Sequence, residues 1–231
     1  MTEYEARNEI TSRALSYVGV TEGSQLHHYL IDQYNKIRPL PRYYEVQYTD
    51  AWCAAFVSAI AKLSNMLDII PAECSCVEMI EGFKKMGSWQ EDDSYRPQLG
   101  DILFYDWQDS GAGDCAGAAD HVGIVTRCYA NSFVVTEGNR SDMVQNIEVK
   151  QNARYIRGFG TPDYAGWAKR WNESNSENVE PSSWAAAAVS WGIQNQITDG
   201  KRLHQNCTRE ELITMLYRYH MKFYGGNNES K

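Results

Sequence analysis

The stretch Asp50-Ala51-Trp52-Cys53-Ala54-Ala55-Phe56-Val57-Ser58 places a cysteine at the start of a predicted helix. Apolar residues recur at helical spacing after Cys53, and Asp50 or Thr49 is predicted to cap the helix by accepting backbone N–H bonds. A thiol in this first turn lies near the positive end of the helix macrodipole, which stabilises its thiolate and lowers its pKa. Taken alone, the stretch is more typical of a cysteine that is simply buried in an apolar helix.

The composition indicates a globular protein with one full domain and a smaller second one. Hydrophobic residues make up 43% of the 231 residues, and the net charge is −8. Residues 1–160 carry this charge, with 14 Lys and Arg against 22 Asp and Glu, whereas residues 161–231 have 8 of each sign. An acidic first part argues against a nucleic-acid partner, because it would repel phosphates.

The six cysteines lie at positions 53, 74, 76, 115, 128 and 207. They lack the paired C-x-x-C spacing of a zinc site and the pattern of a small disulfide framework. We therefore expect reduced cysteines and no metal. The N-terminus lacks the basic and apolar regions of a signal peptide, and no apolar run reaches membrane length. These features predict synthesis in the cytoplasm without a signal peptide and no membrane partner.

The periodicity of the first 160 residues predicts helices followed by strands. The predicted helices cover 3–18, 26–37, 53–65 and 76–86. A turn at 97–101 then leads into predicted strands at 102–105, 121–129, 132–139, 143–149 and 154–159. Helices followed by an antiparallel sheet indicate an α+β domain.

The remainder of the chain is predicted to contain a linker, a small module and a tail. Residues 161–183 are polar and predict a linker, and residues 184–224 predict a compact helical unit. Residues 225–231 are predicted to be a disordered tail.

A cysteine nucleophile needs a base, and His121 is the strongest candidate for it. His121 opens a predicted strand, and the next strand carries Glu137 and Asn139 on one face because strand side chains alternate. If the turn is centred on Ala130, His121 faces Asn139 and Glu137 is its diagonal neighbour, about 7 Å away. The alternative is a strand histidine that an ordinary glutamate satisfies.

Four blocks of the sequence strengthen the catalytic interpretation by their order and spacing. They are Tyr48-Thr49-Asp50-Ala51-Trp52-Cys53-Ala54-Ala55-Phe56-Val57, Pro97-Gln98-Leu99-Gly100-Asp101-Ile102-Leu103-Phe104, Asp120-His121-Val122-Gly123-Ile124-Val125 and Thr136-Glu137-Gly138-Asn139. Together they resemble a CHAP domain, the cysteine-dependent amidohydrolase/peptidase of phage endolysins and bacterial wall hydrolases. The resemblance covers roughly residues 5–160.

The resemblance implies a papain-like α+β fold of the NlpC/P60 kind and assigns roles to four residues. Cys53 would be the nucleophile, His121 the general base, and Glu137 and Asn139 the orienting residues. Many relatives carry Asp where this chain has Ala54, and the acidic calcium cluster of some members is not evident. The resemblance therefore implies no metal and no cofactor.

Three aromatic residues near these blocks are candidates for the substrate groove. They are Tyr48, Trp52 and Trp107, and each is also typical of a core position. The mechanism that the resemblance implies begins with attack of the Cys53 thiolate on an amide carbonyl. Backbone N–H groups at the helix start would hold the oxyanion.

The C-terminal unit is similar to a single S-layer homology repeat, a module that attaches proteins to secondary wall polysaccharides. A predicted helix at 184–193, a turn at 197–200 and a second helix at 208–216 carry this resemblance, with Thr208 and Glu211 forming a capping box. It implies that Asp199 and Arg209 contact the glycan, although Arg209 is equally typical of a solvated helix end. Such repeats usually occur in threes, so we expect self-association, such as a trimer, through this marginal unit.

The sequence thus predicts a modular peptidoglycan hydrolase, namely a phage or prophage endolysin that acts on the wall after release from the bacterial host cytoplasm. The bond cut is the muramoyl–L-alanine amide or a peptide bond of the stem or cross-bridge. The alternatives are a bacterial wall-remodelling or conjugation-associated hydrolase, a non-catalytic wall-binding protein, and an intracellular papain-like protease.

Overall fold

The computed structural model describes residues 1–92, 94–108, 117–174, 181–198, 207 and 209–224. The chain forms two compact units, Met1–Ala168 and Lys169–Lys231. Within these described ranges, no helix is both long and apolar enough to cross a membrane.

The first unit begins with helices. They are α1 (Glu3–Leu15), α2 (Gln25–Asn35), α3 (Cys53–Leu63) and α4 (Cys76–Lys85), with a short 3-10 turn at Pro41–Tyr43 between α2 and α3. Side chains cap three of these helices: the oxygens of Thr2, Ser24 and Ser75 accept N–H bonds from the first turns of α1, α2 and α4. The four helices begin and end within three residues of the predicted bounds.

An antiparallel sheet follows the helices. Its strands are β1 (Trp89–Gln90), β2 (Ile102–Tyr105), β3 (His121–Cys128), β4 (Ser132–Glu137), β5 (Gln145–Lys150) and β6 (Ile156–Gly160). In the described part of the chain the strand order is β1-β6-β2-β3-β4-β5, and every neighbouring pair is antiparallel. The predicted α+β class is confirmed.

Helix α3 is the central helix of the first unit. Its residues from Cys53 to Ala61 are all buried, because the sequence of this segment is apolar or small on every side. The helix packs on α2 and on β3, which brings the helix that carries Cys53 onto the strand that carries His121.

The turn before β2 ties the N-terminal helix to the sheet. The Asp101 carboxylate is buried and accepts hydrogen bonds from the Tyr95 hydroxyl (2.6 Å) and the Gln98 N–H (2.8 Å). The Arg7 guanidinium on α1 lies 3.3 Å from the other Asp101 oxygen. This network fixes the start of β2, whose last residue reaches the candidate site.

The prediction of a linker at 161–183 is wrong for the first part of this range, which contains a helix. Helix α5 spans Tyr164–Ser174, and the side chains of Tyr164, Trp167 and Ala168 are buried at i, i+3, i+4 spacing. The Tyr164 hydroxyl donates a 2.7 Å hydrogen bond to the Gly100 carbonyl. Burial of two aromatic rings therefore holds residues 164–168 in the first unit, although their surroundings in the sequence are polar.

The second unit contains helices α6 (Ala186–Gln194) and α7 (Arg209–Phe223). The rings of Trp191 and Phe223 stack with centroids 5.8 Å apart and an interplanar angle of 12°. Helix α7 extends beyond the end at residue 216 that the sequence predicted. The predicted glycan-binding turn with Asp199, the capping residue Thr208 and the predicted tail 225–231 lie outside the described residues.

Candidate active site

Cys53 is the first residue of α3, as the sequence predicted, but the predicted cap is wrong. Trp52 occupies the N-cap position and makes no side-chain cap bond. The Asp50 carboxylate instead accepts hydrogen bonds from the Gln47 N–H and the Tyr44 hydroxyl, both at 2.8 Å, and so closes the preceding turn. The N–H of Cys53 consequently has no acceptor among the described residues, and it remains available at the positive end of α3.

The thiol of Cys53 lies between a second cysteine and His121. Its sulfur is 3.7 Å from the sulfur of Cys76, the first residue of α4. The hydrogen bond with Cys76 and, after it, those with His121 and the Ala54 N–H favour the thiolate, as does the positive charge of His121. Burial of the thiol opposes them without cancelling them, so the pKa of Cys53 falls well below its ordinary value.

His121 is buried, its ring contacts Glu137, and the ring interacts electrostatically with Cys53. Its Nε2 lies 3.0 Å from Oε2 of Glu137, so Nδ1 is the nitrogen available to Cys53. Burial alone would lower the pKa of His121, but the hydrogen bonds with Cys53 and Glu137, with their negative charges, outweigh it and raise the pKa to about 9. Both shifts favour a thiolate–imidazolium pair at the site.

Glu137 is fully buried and has partners besides His121. The Tyr105 hydroxyl donates to its Oε1, and the Arg140 guanidinium lies 3.6 Å from its Oε2. Burial, followed by the charge of Glu137, raises the pKa of Tyr105 well above its ordinary value, so this hydroxyl stays a donor. The carboxylate is thus fixed on three sides and orients the imidazole.

The pairing of β3 with β4 explains why His121 meets Glu137. Ile124 faces Thr136 and Val125 faces Val135, which is the register predicted for a turn centred on Ala130. A β-bulge between Val125 and Arg127 shifts the pairing by one residue, and the shift affects only the residues nearer the turn. The predicted diagonal approach of Glu137 to His121 is present in the structure.

Asn139 does not take part in this contact. Its backbone has a φ of 57°, so the extended alternation of β4 ends before it. Among the described residues it makes no hydrogen bond with His121, and it lines a neighbouring cavity instead. The structure therefore brings Glu137 to the His121 ring and does not bring Asn139 to it.

Two glycines allow the close packing of this site, and sequence reasoning missed their role. A Cβ on Gly123 would lie 2.7 Å from Cγ of Glu137 and 2.6 Å from Cγ1 of Val135. A Cβ on Gly138 would lie 2.5 Å from Cβ of Phe56 on α3. Gly123 thus leaves room for the Glu137 side chain, and Gly138 lets the end of β4 approach α3.

Gly123→Ala is expected to lower kcat/KM for the hydrolysis proposed below by about 10-fold or more, because a displaced Glu137 positions His121 less well. The alkaline limb of the pH–rate profile should move to lower pH in the same variant. The matched control is Gly160→Ala, whose Cβ would crowd the Phe83 ring at 2.5 Å. We expect this control to lose stability without a shift of the pH profile, and an equal shift in both variants would contradict the role of Gly123.

Trp107 borders the site on the solvent side. Its ring stacks on that of His121 with centroids 4.8 Å apart, and 43% of the residue is exposed. The Arg140 guanidinium lies over the Trp107 ring at 4.9 Å. Trp107 and Arg140 line a cavity of about 560 Å³ together with Asn139, Ser141 and Tyr155. Trp107 thus lies next to the imidazole and is open to solvent, which is compatible with its predicted role in the substrate groove.

The other two predicted groove residues, Trp52 and Tyr48, lie in different environments. Trp52 is fully buried, its Nε1 donates a 3.0 Å hydrogen bond to Glu22, and its ring packs on His27, so its assignment to the groove is wrong. Tyr48 is 42% exposed and stacks on His28 at 3.9 Å. It lines a second cavity, of about 520 Å³, so its groove role stays a prediction.

Of the predicted glycan-binding residues, Asp199 lies outside the described residues, and Arg209 is described only as the backbone that begins α7. Sequence reasoning missed Cys76, Tyr105 and Arg140. A Ser75 cap before Cys76 signals a second thiol at a helix start, and Tyr105 ends the strand that pairs with His121. Arg140 carried no signal apart from its place directly after Asn139.

Comparison with known proteins agrees with this geometry. Residues 43–139 match the model of the CHAP domain family. Over these residues the first unit is therefore similar to a CHAP domain, and its helices and antiparallel sheet are consistent with a papain-like fold. The match includes Cys53, His121 and Glu137. A CHAP domain indicates an amidohydrolase or peptidase of the peptidoglycan-hydrolase type, with peptidoglycan as the substrate. No curated protein and no solved structure matches the chain.

Proposed function

We propose that this protein hydrolyses an amide bond of peptidoglycan through a covalent acyl-enzyme on Cys53. The observation that carries the proposal is the buried chain from Cys53 through His121 to Glu137 at the start of α3. A nucleophile, a base beside it and a residue that orients the base are the set of groups that thiol catalysis uses.

The contacts support a two-step mechanism. The Cys53 thiolate attacks the carbonyl carbon of the amide, and the N–H of Cys53 at the helix start stabilises the oxyanion. Nδ1 of His121 gives its proton to the leaving amine as the C–N bond breaks, while Glu137 holds Nε2. Water then attacks the thioester, His121 accepts a proton from that water, and the carboxylic acid leaves with regeneration of the thiolate.

The substrate bond belongs to one of two classes. It is either the N-acetylmuramoyl–L-alanine amide or a peptide bond of the stem or cross-bridge, and the same residues catalyse both reactions. The mass spectrum of the released fragments distinguishes them, because an amidase frees the sugar lactyl carboxyl and an endopeptidase frees a peptide carboxyl.

The reaction is tested on purified peptidoglycan with the full chain, before and after alkylation by iodoacetamide. We expect the suspension to clear, new amino groups to appear, and alkylation of Cys53 to abolish both effects. Clearing that survives complete alkylation of Cys53 would contradict the proposed chemistry. Hydrolysis of casein without release of wall fragments would instead favour a general papain-like protease.

The second part of the proposal assigns wall attachment and self-association to the S-layer-homology-like unit. Several large side chains of α7 are exposed, including Leu212, Ile213, Leu216 and Tyr217. Exposed apolar groups on a small helical unit favour association between copies. We expect a trimer by light scattering at micromolar concentration and weaker retention of Arg209→Ala on walls that carry secondary polysaccharide. A strictly monomeric chain, or unchanged retention, would contradict this part.

The third part concerns biological context, and it describes the protein as a phage or prophage endolysin that reaches the wall after release from the host cytoplasm. Cytoplasmic expression should leave cells intact until the membrane is permeabilised with chloroform, after which lysis should follow rapidly. Expression of Cys53→Ala serves as the control and should give no lysis after permeabilisation. Lysis of intact cells by the wild type would argue for a different route to the wall.

A further inference from the structure

Cys76 contacts the sulfur of the proposed nucleophile, yet the hydrolytic mechanism does not use it. The two sulfurs are 3.7 Å apart, and both residues are nearly buried, with 7% of Cys53 and 8% of Cys76 exposed. Each cysteine is the first residue of a helix of ten or more residues, so two helix N-termini converge on one sulfur pair. A disulfide needs the sulfurs at about 2.05 Å, an approach that small rotations of two side chains can supply.

We propose that Cys53 and Cys76 form a reversible disulfide on exposure to a peroxide, which makes the sulfur pair an oxidative modification site. Of the other described cysteines, Cys74 is half-buried. Cys128 and Cys207 are exposed, and the Cys128 thiol donates to the Pro97 carbonyl. The loss of activity on oxidation rests on the proposed role of Cys53 as nucleophile, whereas formation of the bond does not.

The first step is oxidation of Cys53. Its thiolate attacks one oxygen of hydrogen peroxide, the O–O bond breaks, and the departing hydroxide takes up a proton to become water. Sulfur loses two electrons and becomes a sulfenic acid, while the peroxide is reduced. The proposed substrate must reach the same sulfur, so the small, uncharged peroxide has a path to it.

The second step is resolution by Cys76. The thiolate of Cys53 and burial together raise the pKa of Cys76, so this thiol stays protonated in the reduced protein. Conversion of Cys53 to a neutral sulfenic acid removes the negative charge that opposed ionisation. The Cys76 sulfur then attacks the Cys53 sulfur, the S–O bond breaks, and the hydroxide leaves as water with the Cys76 proton.

The surroundings of the pair favour easy reduction. The imidazolium of His121 and the N-terminus of α3 stabilise the Cys53 thiolate, which is the leaving group when a dithiol opens the disulfide. Stabilisation of the reduced form raises the reduction potential of the couple. We therefore expect the bond to protect Cys53 from further oxidation and to open in dithiothreitol.

The test treats the reduced full-length protein with hydrogen peroxide, blocks free thiols with iodoacetamide and digests without reduction. Trypsin places Cys53 in peptide 43–62 and both Cys74 and Cys76 in peptide 63–84, so a cross-link between these peptides is the signal. Cys74→Ser is the matched control, because Cys74 lies in the same peptide as Cys76. We expect the cross-link in the wild type and in Cys74→Ser, with at least about 10-fold loss of wall hydrolysis that dithiothreitol restores.

Cys76→Ser and Cys76→Ala should form no cross-link, and their Cys53 should instead accumulate sulfinic and sulfonic acid that dithiothreitol does not reverse. A cross-link that persists without Cys76, or a wild type that over-oxidises without one, overturns the inference. The cross-link is detected by mass and does not depend on activity. A Cys53→Ala variant that still hydrolyses walls would refute the proposed function, yet it would leave the mass result intact.

Discussion

Cys53→Ala is expected to lower kcat/KM for peptidoglycan hydrolysis by about 10⁴- to 10⁶-fold, because it removes the sulfur that forms the proposed acyl-enzyme. The substitution removes a single buried sulfur from the first turn of α3, whose remaining residues keep their packing. The measurement is the rate of amine release from purified walls, together with retention of the protein on the same walls. Retention should be unchanged, which separates loss of chemistry from loss of fold.

The matched control for this variant is Cys74→Ala, which removes a half-buried free thiol near the start of α4. We expect it to keep wall hydrolysis within about threefold of the wild type, because Cys74 is not among the groups that shift the pKa of Cys53 or His121. A Cys53→Ala variant with a tenth or more of wild-type activity would place the nucleophile elsewhere and would require a different mechanism.

The parts of the site that the sequence predicted are those that depend on local periodicity. The helical spacing after Cys53 places the thiol at a helix start, and the strand alternation around His121 and Glu137 places them on one face. Both inferences need only the backbone geometry of a single element or a single hairpin. The resemblance added the pairing of the two elements, which no local pattern contains.

The parts that the sequence did not predict depend on contacts between distant segments. Cys76 contacts Cys53 only because the starts of α3 and α4 converge in space. Trp52 is buried because its indole N–H donates to Glu22 and its ring packs on His27, and both partners lie on other segments. Asn139 departs from strand alternation through one positive φ angle, which an asparagine tolerates but does not require.

The first unit extends to Ala168, past the predicted start of the linker at 161, for a related reason. Residues 161–183 are polar on average, and average polarity predicts a linker. Tyr164 and Trp167 bury their rings in the first unit all the same, since the gain from burying an aromatic ring outweighs the polarity of its neighbours. Composition averaged over a window therefore hides two anchoring residues.

Glu137→Gln is expected to lower kcat/KM by about 10²- to 10⁴-fold and to move the alkaline limit of activity to a lower pH. The hydrogen bond and charge of Glu137 help to raise the pKa of His121 to about 9, against burial, which acts to lower it. Above that pH the imidazolium loses the proton that the leaving amine needs, so wild-type kcat/KM should fall through about 9. A neutral glutamine stabilises the imidazolium less, so the fall should begin at a lower pH.

The acid limb provides the second half of this argument. Activity at low pH is limited by protonation of Cys53, whose pKa is lowered by Cys76 first and also by His121. Glutamine at 137 should change this limb less than the alkaline limb, because Glu137 is not among the groups that lower the thiol pKa. Glu148→Gln, which removes an exposed carboxylate that accepts from Ser132, should leave both limbs in place. If Glu137→Gln and Glu148→Gln gave the same alkaline limb, Glu137 would have no role in holding the proton on His121, and its burial between Tyr105 and His121 would serve packing alone.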